Sequence, residues 1–114
     1  MSRPAFIAGS SGSDLMQKQY CVYILANQRH GTLYTGCTSN LPERIYQHRS
    51  GVIKGFTNEH KTYKLVYYEI HEDPESMIRR EKLIKKWKRQ WKINQIEKFN
   101  PEWDDLAESL ANNF

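Results

Sequence analysis

Two short runs rich in β-branched and aromatic residues, "YCVYILA" at Tyr20–Ala26 and "TLYTG" at Thr32–Gly36, flank the polar stretch "NQRHG" and predict a β-hairpin. If residues 27–30 form a four-residue loop closed by Ala26 and Gly31, Tyr23 lies opposite Tyr34 and both phenols share one face of the sheet. A loop one residue longer would put them on opposite faces, so the shared face depends on the turn.

The stretch after the hairpin, "TSNLPERIYQHRSG", carries helix signals at both ends: Asn40 as N-cap, Glu43 three residues on, a proline in the first turn and Gly51 as the stop. Arg44 and His48 are four apart on that helix, which stacks them on one face as a pair able to meet an anion, or as two solvated side chains. "GVIKGFTNEHKT" reads as a Gly-punctuated loop and "YKLVYYEI" as a third strand.

The longest element is expected over "EDPESMIRREKLIKKWKRQWKINQIEKF", one helix with Asp73 as N-cap and Pro74 at its first position. Helical spacing gathers Met77, Leu83, Ile84, Trp87 and Trp91 on an apolar arc, with both tryptophans expected in the core, and sets Lys82, Lys85, Lys86, Arg89 and Lys92 opposite. Glu81 falls at the edge of that arc, where a carboxylate needs a salt-bridge partner or a cation. "NPEWDDLAESLANNF" breaks the helix and resumes as a short acidic helix that packs back through Trp103 and Leu106.

Charge is segregated. Residues 79–92 hold eight of the 17 Lys and Arg against one acid, a local +7 in a chain of net +4, leaving −3 elsewhere. Such a patch fits a polyanion, nucleic acid first and an anionic membrane surface second; the alternative is a solvated helix face. Cys21 and Cys37 match no paired zinc spacing and read as reduced thiols of a cytoplasmic chain. No apolar run approaches the roughly 18 residues that span a bilayer. A chain of 114 residues makes one domain, here over 18–110, with a Gly/Ser-containing flexible leader over 1–17 and a tail over 111–114. Met16 is a candidate natural start, residues 1–15 then being an added leader.

Taken in order, these residues resemble a GIY-YIG nuclease domain. The two name-giving tripeptides stand as "CVY" (21–23) and "YTG" (34–36), the arginine-to-histidine helix as "RIYQH", the glutamate as "RREKLIKKW" and the terminal asparagine as "FNPEW". The resemblance runs from about Tyr20 to Leu106 and is nearest the small stand-alone bacterial members, whose "GFT" and "NPxWxDL" stretches stand at Gly55–Thr57 and Asn100–Leu106. Cys21 and Val22 replace the family's Gly and Ile, and Thr35 its middle Ile, at positions that shape strand packing more than chemistry.

The resemblance implies a single α/β (α+β) domain, a three-stranded antiparallel sheet flanked by helices, that hydrolyses phosphodiester bonds in DNA with one divalent ion, Mg²⁺ or Mn²⁺. It carries functional roles onto Tyr23, Tyr34, Arg44, His48, Glu81 and Asn100. Glu81 is the implied metal ligand and Arg44 a donor to a nonbridging oxygen. Tyr23, by preference over Tyr34, positions or deprotonates the attacking water, its phenol assisted by Arg44, His48 or the metal. Tyr34 and His48 complete the hydrogen-bond network, and Asn100 holds the site's geometry. Lys54, Lys82, Lys85, Lys86 and Arg89 are candidate contacts to the nucleic-acid backbone. The implied substrate is DNA, single-stranded or branched, with RNA as an alternative, no membrane partner, and a monomer as the default. Two other readings stand beside the enzyme: a nucleic-acid-binding module that kept the fold without turnover, and a protein whose basic helix docks on an acidic partner.

Overall fold

The computed structural model describes residues 19–50 and 64–110. Three antiparallel strands, β1 (Tyr20–Ala26), β2 (Leu33–Thr38) and β3 (Lys64–His71), form one sheet in the order β2-β1-β3. The uninterrupted apolar run of β1 suits the central position, because a strand covered on both faces has no use for alternating polarity. Cys21 to Ala26 are accordingly all buried.

Helix α1 (Leu41–Ser50) covers one face, placing Leu41 and Ile45 against Cys21, Tyr23, Leu25 and Leu65, with Leu110 beside them. Helices α2 (Pro74–Lys86) and α3 (Arg89–Phe99) cover the other, where Met77, Ile84, Ile93, Ile96 and Trp103 pack on Val22, Ile24, Ala26, Val66 and Tyr67. A register shift between Ile24 and Leu25 inserts Val66 as an extra residue in β3, which is how Val66 and Tyr67 both bury on one face. The expected caps form: the Asn40 side chain accepts from Glu43 N at 3.2 Å, and Asp73 Oδ1 accepts from Ser76 N at 2.7 Å. A short 3₁₀ turn, Leu106–Ser109, follows, and Leu106 packs back as expected, against the α1-side core.

Two expectations change. The hairpin connection spans residues 27–32, two residues longer than a four-residue loop, since β1 pairs Ala26 with Leu33. Asn27 lengthens it by accepting Thr32 N on its side-chain oxygen at 2.9 Å, with His30 in the left-handed region (φ 59°). Tyr23 therefore pairs with Gly36, and Tyr34 with Leu25. A shift of two preserves parity, so both phenols still share a face.

The single long helix is two. Trp87 and Lys88 adopt extended backbone (ψ 149° and 151°) between α2 and α3. On one straight helix Ile93 would sit roughly 160° and Ile96 roughly 100° around from Met77. The break turns α3 so that all three bury in the same core. The cost falls on Trp91, expected inside but 54% exposed, and on Leu83, 49% exposed, while Trp87 stays half-buried. The loop read over 51–61, the Gly51 stop and Lys54 lie outside the described residues.

Ile96→Ala is expected to destabilise by about 2–5 kcal/mol, as much as Ile84→Ala, while Trp91→Ala costs under about 1 kcal/mol. Urea unfolding of the three variants measures this; a continuous helix would spare Ile96 and penalise Trp91.

Candidate active site

Tyr23 sits mid-way along the central strand and its ring crosses the neighbouring strand at Gly36. A Cβ on Gly36 would lie 2.7 Å from Tyr23 Oη and 3.1 Å from Tyr34 Cε2, so only glycine leaves room for both phenols. Gly36 is a site-forming residue that the sequence reading did not single out, although a glycine inside a strand signals close approach.

Above the two rings stands His48. Leu41, Ile45 and His48 recur at helical spacing on the buried side of α1, so the stripe that docks the helix also delivers the imidazole. His48 is 1% exposed, its Nε2 lies 3.0 Å from Tyr23 Oη, and its ring centroid is 5.3 Å from that of Tyr34. The Tyr23 and Tyr34 rings are 6.4 Å apart. Tyr34, half-buried on the edge strand, is the more open phenol.

Burial, reinforced by Tyr34, pushes the Tyr23 phenol well above its ordinary value, outweighing the opposite pull of Arg44. Of the neighbours expected to lower it, Arg44 does so, but burial outweighs that pull. Burial, with Arg44 nearby, lowers His48 to about 4. At neutral pH the phenol is thus protonated and the imidazole neutral, and with the imidazole proton on Nδ1 Tyr23 donates to Nε2. Because the folded value lies below the ordinary 6.5, this contact is fully stable above 6.5 and loses stability as pH falls toward 4.

From the opposite side of the sheet, α2 brings Glu81, its side chain 13% exposed, with Lys85 Nζ 2.6 Å from its Oε2. Arg44 and Glu81 both act electrostatically on Tyr23 and on Cys37 of β2, and Lys85 is raised chiefly by Glu81, then by Tyr34 and Cys37. The charged groups of α1 and α2 therefore converge on the β2 edge. Among the described residues no group of three or more His, Cys, Asp or Glu gathers to hold a metal. A half-buried lone carboxylate still fits a hard ion that keeps its waters and shares phosphate oxygens.

Asn100 is elsewhere. Buried at the end of α3, it donates to Val66 O (3.0 Å) and Asp104 O (2.9 Å) and accepts from Asp104 N, fastening α3 to β3. Of the basic candidates, Lys82 and Lys86 are exposed on α2, Lys85 is paired with Glu81, and Arg89 donates to His30 O at 2.6 Å. Lys92, half-buried and lowered by burial and by Lys85 and Arg89, was placed on the basic face but not among the contacts.

Residues 19–94 match the family of the GIY-YIG catalytic domain. The chain is similar to a UPF0213 protein of Syntrophus aciditrophicus, 40% identical over 88 residues that cover 76% of this chain and 98% of the relative. A UPF0213 protein of Staphylococcus haemolyticus is 38% identical over 82 residues, 72% of this chain and 98% of its own. A shorter likeness, 57% identity over 37 residues, covers 32% of this chain and 10% of the structure-specific endonuclease subunit SLX1 of Podospora anserina. No solved structure matches. The chain belongs to the GIY-YIG nuclease family, whose members act on DNA and generally use divalent metal ions. No helix among the described residues is long and apolar enough to cross a membrane.

Gly36→Ala is expected to displace the Tyr23 ring and break its bond to His48 while leaving the chain folded. The loss would register as a changed His48 ring resonance in NMR; an unchanged resonance would contradict the close approach.

Proposed function

We propose that this chain is a metal-dependent endonuclease that hydrolyses phosphodiester bonds in DNA, single-stranded or branched. The observation that carries this reading is the buried Tyr23–His48 hydrogen bond over Gly36, with Arg44 and Glu81 both close enough to act electrostatically on the phenol. The name of the Podospora relative, a structure-specific endonuclease subunit, supports a substrate chosen by its structure.

In this mechanism Tyr23 is the base because its own proton has an acceptor. A phenol raised by burial is a poor base alone, but as it takes a proton from the attacking water it passes its own to His48 Nε2, 3.0 Å away. The water oxygen bonds to phosphorus and the bond to the leaving oxygen breaks. Arg44 donates to a nonbridging oxygen where charge develops, and the more open Tyr34 hydrogen-bonds the phosphate. Glu81 is the carboxylate that would hold a divalent ion, Mg²⁺ or Mn²⁺. An ion held there would supply charge neutralisation for the leaving oxygen. Asn100 keeps β3 and α3 in register without touching the reacting atoms.

The test is incubation with labelled single-stranded, duplex and branched DNA and single-stranded RNA, with Mg²⁺, Mn²⁺ or chelator. Cleavage of single-stranded or branched DNA that chelator stops, that Glu81→Ala abolishes and that Arg44→Ala slows by about 10²–10³-fold is expected. Binding without cleavage on every substrate would overturn the reading.

A further inference from the structure

The break between α2 and α3 leaves Trp91 54% exposed beside the most basic part of the molecule. It belongs to an open groove of about 700 Å³ lined by Trp87, Trp91, Asn94, Gln95, Glu97 and Lys98. Trp87 and Trp91 meet edge to face, with centroids 6.5 Å apart at 74°. Trp87 is braced by the Arg80 guanidinium 5.1 Å from its ring centroid, and that guanidinium is held by Glu69 at 2.8 Å. Trp87 is thus held in place before anything binds and gives Trp91 a fixed ring to lean on, which lowers the ordering cost of a stacked ligand.

We propose that Trp91, braced by Trp87, is a stacking platform for an unpaired base of a DNA strand whose backbone lies along the basic edge of α2 and α3. Charge complementarity chooses the occupant. Lys88 and Lys92 flank Trp91 in sequence at the start of α3, and Lys92 is within electrostatic reach of Lys85, the partner of Glu81. The basic residues Lys85, Lys86, Lys88, Arg89 and Lys92 thus run along the chain from the partner of Glu81 to the platform. The groove offers indole, amide and lysine groups, no Leu, Ile or Met, and one carboxylate, Glu97, whose Oε2 is already engaged by His30 Nε2 and Trp103 Nε1; that is the chemistry of base stacking beside a phosphate chain more than of an apolar helix docking in a groove.

A base presents its π-face only when unpaired, so the platform favours single-stranded or frayed DNA over duplex. This inference takes its partner from the proposed nuclease, but its test reads binding and not turnover.

Fluorescence anisotropy in chelator, with a labelled oligothymidylate and an abasic strand of equal length and charge, measures the contribution of the bases. The wild-type chain is expected to bind oligothymidylate about tenfold more tightly than the abasic strand. Trp91→Ala should erase that difference without changing abasic binding, and Trp91→Phe should retain most of it, which separates lost stacking from lost folding. Equal binding of both strands by the wild type, or an undiminished difference in Trp91→Ala, would overturn the platform while leaving the nuclease reading intact. Base-dependent binding with no cleavage would do the reverse.

Discussion

The hydrogen bond between Tyr23 and His48 joins the central strand to α1, which covers its face of the sheet, and the rest of the arrangement follows from making it possible. A tyrosine can lie flat across its neighbour strand only if that strand offers glycine, which Gly36 does. The imidazole reaches the phenol only because Leu41 and Ile45 dock α1 in one rotation, with Asn40 fixing where the helix begins. Burying the two polar groups is tolerable because each satisfies the other, and the same burial keeps both neutral.

That neutrality has a chemical consequence. A solvated tyrosine and histidine would trade protons with water; this pair is buried from it. The charges that would attract a phosphate, Arg44 and Lys85, and the carboxylate suited to a divalent ion, Glu81, come from helices on opposite faces of the sheet. β2 is an edge strand of the described sheet, and it is there that charges from both helices act on one residue, Cys37.

Much of this was legible in the chain. The apolar run of β1 declared its central place, Asn40 and Asp73 declared their caps, and the four-residue spacing of Arg44 and His48 put both on one helix. The hairpin register was misjudged because the closing bond uses the Asn27 side chain, which a count of turn residues does not reveal, yet the error of two spared the face of both tyrosines. The break at Trp87–Lys88 had no local signal, neither proline nor glycine. It is imposed by the core, which needs Ile93 and Ile96 on the side already occupied by Met77 and Ile84. Trp91 was misplaced for the same reason, since a helical wheel drawn through the break assigns it the wrong side. Glu81 at the edge of its arc was readable; that Lys85 pairs with it one turn on follows from their spacing.

The central claim is that Tyr23 and His48 form a neutral, buried pair with the proton on the phenol. Nitrogen-15 NMR of the His48 ring across pH tests it directly. The expected result is a neutral imidazole with its proton on Nδ1, accepting at Nε2 and titrating near pH 4. A ring protonated on Nε2 at neutral pH, or titrating near the ordinary 6.5, would contradict the account.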